Sequence, residues 1–225
     1  MAKFDPVRRA EIGRERRARS RARLIQAARA LFAARPVDAI TVEDVTTTAG
    51  AAKGAFYTHF QNLDELRAAV ADDLAQELHD ALEPHQASIA DPLERIATGS
   101  ATFIALALRD PAWGGLIARG IWAFPTVAGA ARRRLNEDLQ QAAAQGRLAA
   151  ISHEAGFDIV VGVVVQAMRS ASEKRLSAED VPTIVAAVLR ALGAPPAVAT
   201  HIVQRATATA RPEKRADRHK VTAAG

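Results

Sequence analysis

The chain has 225 residues, of which 49% are hydrophobic and only 4% are aromatic. This length suits one large domain or a small domain joined to a larger one, with a core of Ala, Leu, Val and Ile side chains. Because the sequence contains no cysteine, disulfides, thiolate catalysis and cysteine-bound zinc are excluded. No stretch has the run of uncharged apolar residues that a transmembrane helix needs, and the arginine-rich N-terminus lacks the apolar segment of a signal peptide. We therefore expect a cytoplasmic protein with no membrane partner.

Positive charge is concentrated at the two ends of the chain. Residues 1–66 carry 12 lysines and arginines against 8 acidic residues, residues 67–210 carry 13 against 15, and residues 211–225 carry 5 against 2. Such end-loaded positive charge is typical of proteins that bind phosphate groups. The alternative is that these ends are solvated tails that keep the protein soluble.

The N-terminal region is predicted to contain an arm and one long helix. Residues 1–13 are expected to be a disordered arm, and the helix begins near Gly13 and ends at Pro36, with Leu24 and Ala28 on its apolar face. The first turns of this helix carry six arginines: Arg14, Arg16, Arg17, Arg19, Arg21 and Arg23.

Three further helices are predicted before residue 84. The segment Thr41-Val42-Glu43-Asp44 is typical of a capping box, in which the threonine hydroxyl accepts a hydrogen bond from the backbone N–H of Asp44. The helix that follows ends at Gly50, which easily adopts the left-handed conformation of a tight turn. A third helix covers residues 52–60, and Asn62 caps the fourth.

Beyond Pro84 the pattern predicts six more helices, separated by proline and glycine. Their approximate ranges are 92–109, 112–120, 126–145, 155–173, 178–192 and 196–209. By composition, Ile159–Val165 also fits a buried strand, but the sequence offers no partner strand, so we assign a helix. Residues 211–225 are predicted to be a basic, disordered tail.

Residues 41–60 have the spacing of a helix-turn-helix. Two short helices are joined by a turn that contains glycine, and the second helix can enter the major groove of DNA. This second helix starts with small or basic residues, so its backbone and its N-terminal amides can lie close to phosphates. Phe56 and Phe60 face inward and anchor the unit, whereas Tyr57, Thr58 and His59 offer hydrogen bonds.

Residues 20–70 resemble the DNA-binding domain of the TetR family of repressors. The matching segments are Leu31-Phe32, Thr41–Val45, Ala49-Gly50, Lys53–Phe60 and Asn62–Leu66. The remaining helices fit this family by their number and order. The resemblance implies an all-α chain, with an N-terminal three-helix DNA-binding domain at residues 14–62 and a larger helical effector-binding and dimerisation domain at residues 63–210.

Carried over by position, the resemblance implies a DNA-binding surface. Thr41 would contact a phosphate, residues 52–55 would face the groove, and Tyr57 and His59 would pack against the sugar-phosphate backbone. Thr46 and Thr47 could add contacts from the outer face of the second helix. The predicted DNA-binding residues are Arg19, Arg21, Thr41, Thr46, Thr47, Ala52, Lys53, Gly54, Ala55, Tyr57, Thr58 and His59.

Two residues depart from the family pattern. Ala52 stands where the family usually has a Ser or Thr cap, whose loss costs about 1 kcal/mol of helix stability. Leu63 stands where the family often has Lys, and Arg19 and Arg21 could compensate by reaching a neighbouring groove. The alternative is that Lys53, His59 and the arginines of the first helix are ordinary solvated side chains.

A helix-turn-helix protein commonly binds DNA as a two-fold dimer. An apolar helical face with small residues is suited to such an interface, and the resemblance implies a four-helix interface from the two long helices at 155–173 and 178–192. The predicted interface residues are Gly162, Val163, Gln166, Ala167, Ser170, Ile184, Val188 and Ala191. The alternative is that these residues belong to an intramolecular core.

A repressor also needs a signal that releases it from DNA, and we expect this signal to be a ligand that binds in an apolar cavity among the middle helices. The residues proposed to line it are Phe103, Leu106, Trp113, Ile117, Trp122, Phe124, Val164 and Met168. Each of them could equally be a core residue.

No pattern in the sequence indicates catalysis. The six histidines lack metal-ligand spacing, the acidic group Asp72, Asp73 and Glu77 has no second acidic cluster to face, and no phosphate loop or nucleophile elbow is present. We expect no enzymatic activity, no cofactor and no metal. The leading hypothesis is a repressor released from a palindromic operator by a small, apolar ligand; a constitutive DNA-binding protein without effector and a helical enzyme or carrier are the rivals.

Overall fold

The computed structural model describes residues 6–149 and 152–209. These residues form ten α-helices and one 3-10 turn, and no strand occurs among them. The helices are α1 (Pro6–Ala34), α2 (Val42–Ala49), α3 (Lys53–Tyr57), α4 (Leu63–Gln86), α5 (Pro92–Arg109), α6 (Pro111–Ala123), α7 (Pro125–Ala144), α8 (His153–Ser172), α9 (Val181–Ala191) and α10 (Pro196–Thr209). The 3-10 turn covers Val37–Ala39. The all-α prediction is confirmed, and Ile159–Val165 is helical as assigned.

The first helix begins earlier than predicted. Residues 6–13 belong to α1, although we expected them to be part of a disordered arm. The start at Pro6 suits proline, since the first helical residue needs no backbone N–H. The segment that follows is rich in Arg, Glu and Ala, which favour helix, and Glu15 and Arg19 form an i,i+4 ion pair at 3.6 Å. Residues 1–5 of the predicted arm and the predicted tail at 211–225 lie outside the described residues.

The chain is divided into two compact units. The first contains the residues up to Glu77 together with Arg119–Ala130, and the second contains Leu78–Ala118 and the residues from Ala131 onward. The sequence-based boundary at residue 62 therefore falls inside the first unit. Contacts between α1 and residues far along the chain explain this difference: Arg29 forms a two-point ion pair with Glu77 at 2.7 and 2.8 Å, and the ring of Phe32 lies 5.8 Å from that of Phe124.

The core of the first unit joins α1 to the short helices. Leu24, Phe32, Phe56, Phe60 and Leu66 are all at most 2% exposed. Their burial provides the main stabilisation of helices as short as α2 and α3, which would not persist alone in water.

The core of the second unit is built around α5. This helix packs against α8, α9 and α10, and most of its side chains are buried. Asp91 caps α5 by accepting from the backbone N–H of Leu93 at 2.9 Å, and Pro92 occupies its first turn, as predicted. Among the described residues, α8 is long and apolar enough to pass a length and composition test for a membrane span. Core helices pass the same test, and α8 buries Phe157, Val164 and Met168 within this unit.

Candidate nucleic-acid interface

The turn between α2 and α3 depends on Gly50 and Arg23. Gly50 has φ +58° and ψ +43°, a left-handed conformation that glycine adopts without steric cost. The backbone N–H of Ala51 then donates to the carbonyl of Thr46 at 2.9 Å. Arg23 of α1 donates to the carbonyls of Ala49 and Gly50 at 2.6 and 3.2 Å. The end of α2 is therefore held against α1, and the direction in which α3 leaves the turn is fixed.

The start of α2 is a complete capping box, as predicted. The hydroxyl of Thr41 accepts from the backbone N–H of Asp44 at 3.1 Å, and the Asp44 carboxylate accepts from the backbone N–H of Thr41 at 2.9 Å. The Thr41 hydroxyl donates to the same carboxylate at 2.7 Å. These hydrogen bonds, with an ion pair to Arg35 at 3.0 Å, lower the pKa of Asp44 to about 2. The Thr41 hydroxyl is therefore already engaged within α2, and it would have to leave Asp44 in order to donate to a phosphate.

Two aromatic side chains anchor α3 from its inner side. Phe56 and Phe60 are 0% and 2% exposed, and their ring centroids lie 5.7 Å apart. The guanidinium of Arg21 lies 5.2 Å from the Phe60 ring centroid, a geometry typical of a cation–π interaction. Phe56 lies within α3 and Phe60 follows shortly after it, so burial of these two rings anchors the segment in the core of the first unit.

The amino end of α3 is exposed and free of bulky side chains. Ala52, Lys53 and Gly54 are exposed, and a Cβ built on Gly54 would meet no atom within 4 Å. Ala52 occupies the N-cap position, where no side chain accepts from the helix amides. Lys53 has no ion pair or hydrogen bond with any residue that the structure describes. The backbone amides and the ammonium group are thus available together on one open surface.

The later residues of α3 and the turn after it extend this surface. Tyr57 is 54% exposed, with its ring edge-on to Phe56 at 5.3 Å. Thr58 is exposed, and its hydroxyl donates to the carbonyl of Gly54 at 3.0 Å. Ala55 and His59 are half-buried, the latter with its ring 6.4 Å from that of Phe60.

One predicted contact residue of α2 is wrongly placed by the sequence analysis. Thr46 is only 5% exposed, and its hydroxyl donates to the carbonyls of Val42 and Glu43 within α2. Val42, Val45, Thr46 and Ala49 repeat at i, i+3, i+4 and i+7, the spacing of a single buried helix face. This spacing would have identified Thr46 as a core position. Its neighbours Thr47 and Thr48 are exposed, and only Thr47 was among the predicted contact residues.

Some arginines of α1 contact other residues of the protein, whereas others are exposed. Arg21 lies over the Phe60 ring, and Arg23 donates to the carbonyls at the end of α2. Arg19 pairs with Glu15. Arg16 and Arg17 are exposed and form no ion pair with a described residue. The predicted reach of Arg19 and Arg21 toward DNA would therefore require both side chains to leave their present contacts.

The residues predicted to line a ligand cavity are distributed over both units. In the second unit, Ile117, Val164 and Met168 are buried, whereas Phe103, Leu106 and Trp113 are half-buried. Phe124 belongs to the first unit, where it packs on Phe32. Trp122 is 58% exposed in that unit, so its side chain is not a core residue of the single chain.

An open groove of about 650 Å³ lies in the second unit, between α5, α9 and α10. Its lining includes Ala101, Leu108, Val181 and Gln204. None of the residues predicted to bind ligand lines this groove.

The predicted dimer residues form a partly exposed face on α8 and α9. Gly162, Val163, Gln166 and Ala191 are exposed, and Ser170 and Ile184 are half-buried. The remaining two, Ala167 and Val188, are 5% and 0% exposed and belong to the core of the second unit. Ala187 is exposed instead, one residue from the predicted position.

Comparison with known proteins identifies the fold and the family. Residues 24–70 match the tetR family of bacterial regulatory proteins, and residues 91–205, about half of the chain, match the C-terminal domain described as tetracyclin repressor-like. No curated protein matches the chain.

Several solved structures share the architecture. RolR in complex with its ligand resorcinol is 28% identical, with 85% of this chain and 96% of RolR covered and a TM-score of 0.62. A gamma-butyrolactone receptor, described as ArpA-like, is 19% identical, with 85% and 97% covered and a TM-score of 0.61. A TetR family transcription regulator from Marinobacter aquaeolei VT8 is 14% identical, with 81% and 100% covered and a TM-score of 0.68. With both domains matched in order, the chain belongs to the TetR family and is a DNA-binding transcription regulator.

Proposed function

We propose that this protein is a homodimeric repressor that binds a palindromic operator and is released from it by a small, largely apolar ligand. The observation that carries the proposal is the exposed amino end of α3, where Lys53 and Gly54 lie on an open surface above two buried phenylalanines. A helix whose amino end is exposed and free of bulky side chains can enter the major groove without steric conflict.

Each residue of this surface has a proposed role at the DNA. The amides at the start of α3 and the Lys53 ammonium would bind phosphates or base edges. The small side chains of Ala52, Gly54 and Ala55 would let the backbone approach the groove, and Tyr57 would pack against the sugar-phosphate backbone. Thr47, which is exposed at the end of α2, would add a contact beside it.

The proposed dimer would use the exposed face of α8 and α9. Gly162, Val163 and Gln166 on α8 and Ala191 on α9 are uncharged, and the glycine permits close approach of a second helix. Two copies related by a two-fold axis would contribute four helices to one interface. Such an arrangement would present two α3 helices to half-sites about one turn of DNA apart.

The proposed ligand is a small aromatic or similarly apolar molecule that binds in the second unit. Support comes from RolR, which is 28% identical to this chain over most of its length and has been solved with resorcinol. Phe103, Leu106, Trp113, Ile117, Val164 and Met168 remain the proposed lining residues.

The proposed mechanism is a shift between two conformations. A ligand that binds one conformation more tightly than the other moves the population toward it. Residues of α4 belong to both units, so a movement of this helix is the proposed route by which ligand binding would misalign the two α3 helices.

The experiment that tests this function is selection of bound sequences from random double-stranded DNA with the full-length protein. We expect an enriched consensus with two inverted half-sites, followed by loss of binding when the correct ligand is added. Enrichment of no sequence, together with binding that depends only on salt concentration, would instead identify a constitutive, non-specific DNA-binding protein.

A further inference from the structure

Two buried threonines of α5 have hydroxyl groups without a partner. Thr98 and Thr102 are 0% and 3% exposed, and neither Oγ1 atom forms a hydrogen bond with any described group. Buried polar groups in folded proteins are nearly always paired, because leaving one unpaired is unfavourable. Two such groups one helical turn apart therefore call for an explanation.

Other hydroxyls of this chain show that the arrangement is not a general property of its helices. Thr46, Thr58, Thr200 and Thr207 each donate to the carbonyl four residues earlier. Ser100, on α5 itself, does the same, donating to the carbonyl of Ile96 at 2.7 Å. This back-bonding is the usual way in which a helical hydroxyl is satisfied. The hydroxyls of Thr98 and Thr102 form no such bond with their own helix.

A third unpartnered group lies on the same face of α5. Residues 95, 98, 99 and 102 share one side of the helix, since they are separated by three and four positions. The amide of Gln86 lies over this side: a Cβ built on Gly99 would come within 2.9 Å of its Nε2 atom. Gln86 Nε2 donates to the carbonyl of Arg95 at 2.7 Å, while Gln86 Oε1 is buried and unpartnered.

The charge on this face is already neutralised. Arg95 Nε donates to Asp138 at 2.6 Å, and its Nη2 donates to Gln141 at 2.5 Å. Its Nη1 donates to the carbonyls of Ile89 and Ala90, each at 2.9 Å. The guanidinium thus has partners on all three nitrogens, and it offers no free donor to an anionic ligand. What the face offers is neutral: two hydroxyls and one amide oxygen.

We propose that Thr98, Thr102 and Gln86 form the polar end of the ligand site, and that they select a neutral ligand bearing hydroxyl groups over a purely apolar or an anionic one. This inference rests on the proposed function, because it assumes that a ligand binds within the second unit. Gln86 Oε1 can only accept, so the ligand must supply at least one O–H or N–H group. The threonine hydroxyls can donate or accept, and they would bind the remaining oxygen atoms.

The test uses the full-length protein with three probes of similar size: resorcinol, toluene and benzoate. Thermal unfolding is measured with each probe, for the wild type, for Thr98→Val, for Thr102→Val and for the double variant. Ser100→Ala is the matched control, since it removes a buried hydroxyl of α5 that is already bonded within the helix. We expect resorcinol to raise the wild-type Tm more than toluene or benzoate does.

The threonine variants should separate ligand recognition from structure. Without ligand, Thr98→Val and Thr102→Val should raise the Tm, because each removes an unpartnered buried hydroxyl. Each should weaken resorcinol binding by about tenfold, the value of one good hydrogen bond, whereas Ser100→Ala should leave the preference for resorcinol unchanged.

Several results would overturn the inference. One is that toluene or benzoate stabilises the wild type as strongly as resorcinol. The hydroxyls of Thr98 and Thr102 would then be bonded to buried water instead of a ligand. Another is that resorcinol has no effect on the wild type, and a third is that the valine variants lose stability without ligand. Operator binding is measured in parallel, so that failure of the ligand site is distinguished from failure of the proposed repressor function.

Discussion

Asp44 makes the start of α2 sensitive to acid. Its carboxylate accepts two hydrogen bonds from Thr41 and pairs with Arg35, which lowers its pKa from the usual 3.8 to about 2. A group whose pKa is lower in the folded state stabilises that state above its unfolded pKa. This contribution is therefore fully present above pH 3.8 and is lost as the pH falls toward 2.

We predict that Asp44→Asn lowers the thermal stability of the protein well above pH 3.8. The difference in Tm from the wild type should shrink as the pH is lowered from 3.8 toward 2, because the wild-type carboxylate becomes protonated. Thermal unfolding followed by circular dichroism across this range measures the effect. A difference that stays constant at every pH would show that the charge of Asp44 has no part in the cap.

Lys53 is the exposed cation of α3, and its proposed role is electrostatic. We predict that Lys53→Ala weakens operator binding and reduces the slope of log affinity against log salt concentration by about 1, the value for one lost phosphate contact. The oligomeric state should not change, since Lys53 is exposed and forms no ion pair or hydrogen bond with a described residue. Fluorescence anisotropy with labelled operator DNA at several salt concentrations measures both quantities.

The matched control for Lys53 is Arg133→Ala, which removes an exposed cation of α7 in the second unit. It should leave both the affinity and the salt slope as in the wild type. If Arg133→Ala weakened binding as much as Lys53→Ala, net charge alone would account for the interaction with DNA.

Individual side chains were predicted well where one local rule decides their position. Phe56 and Phe60 are large and apolar, so their burial followed directly from the spacing of the short helix. Thr46 was misplaced because threonine was judged by its polarity, although its position on α2 is a buried one. A hydroxyl that can bond to its own helix loses little when it is buried, and composition does not reveal this.

At the scale of elements, Arg95 links α5 to α7. Its guanidinium reaches Asp138 and Gln141 on α7 and the carbonyls that precede α5. Asp138 has a side chain only 8% exposed, and burial raises its pKa although Arg95 acts in the opposite direction. This carboxylate can be accommodated in its charged form only while the arginine is present.

We predict that Arg95→Met destabilises the protein by about 3–5 kcal/mol, because it leaves a buried carboxylate without its cation. Urea unfolding with and without the change measures this loss. The double variant Arg95→Met with Asp138→Leu is the control, since it removes the stranded charge and should recover most of the stability. A double variant that is less stable than Arg95→Met would contradict this account of the pair.

Helix ends were predictable where proline, glycine or a cap marks them. The limits of α5 and α10 agree with the predicted ranges because Pro92 and Pro196 start these helices. The start of α1 was not predictable in the same way, since the charged residues before Gly13 suit both a solvated helix and a disordered arm. The structure assigns these residues to a helix, and nothing in their polarity alone distinguishes the two states.

At the scale of the whole molecule, the division into units depends on contacts between residues far apart in sequence. The ion pair of Arg29 with Glu77 and the packing of Phe32 on Phe124 place part of α4 and residues 119–130 in the first unit. Neither contact leaves a periodic signal in the sequence. For the same reason, the predicted ligand residues could be recognised as apolar, but their distribution over two units could not.

The proposed function also requires two copies of the chain, and the exposed face of α8 and α9 offers a direct test. Val163 is 37% exposed near the middle of α8, and Gly162 and Gln166 beside it are uncharged and exposed. An arginine at this position would place an unpaired charge in the interface twice, once from each copy. The centres of protein interfaces are depleted in charge because such burial is costly.

We predict that Val163→Arg raises the dimer dissociation constant by at least about tenfold and leaves each chain folded. Sedimentation equilibrium measures the dissociation constant, and circular dichroism checks the helical content. Operator affinity should fall together with dimer formation, because a single α3 helix reads only one half-site.

The matched control is Thr200→Arg, which adds the same charge at an exposed position of α10. If Val163→Arg were monomeric and still bound the full operator with wild-type affinity, the two-fold arrangement would be excluded. If it remained dimeric, the interface would lie on another face of the chain.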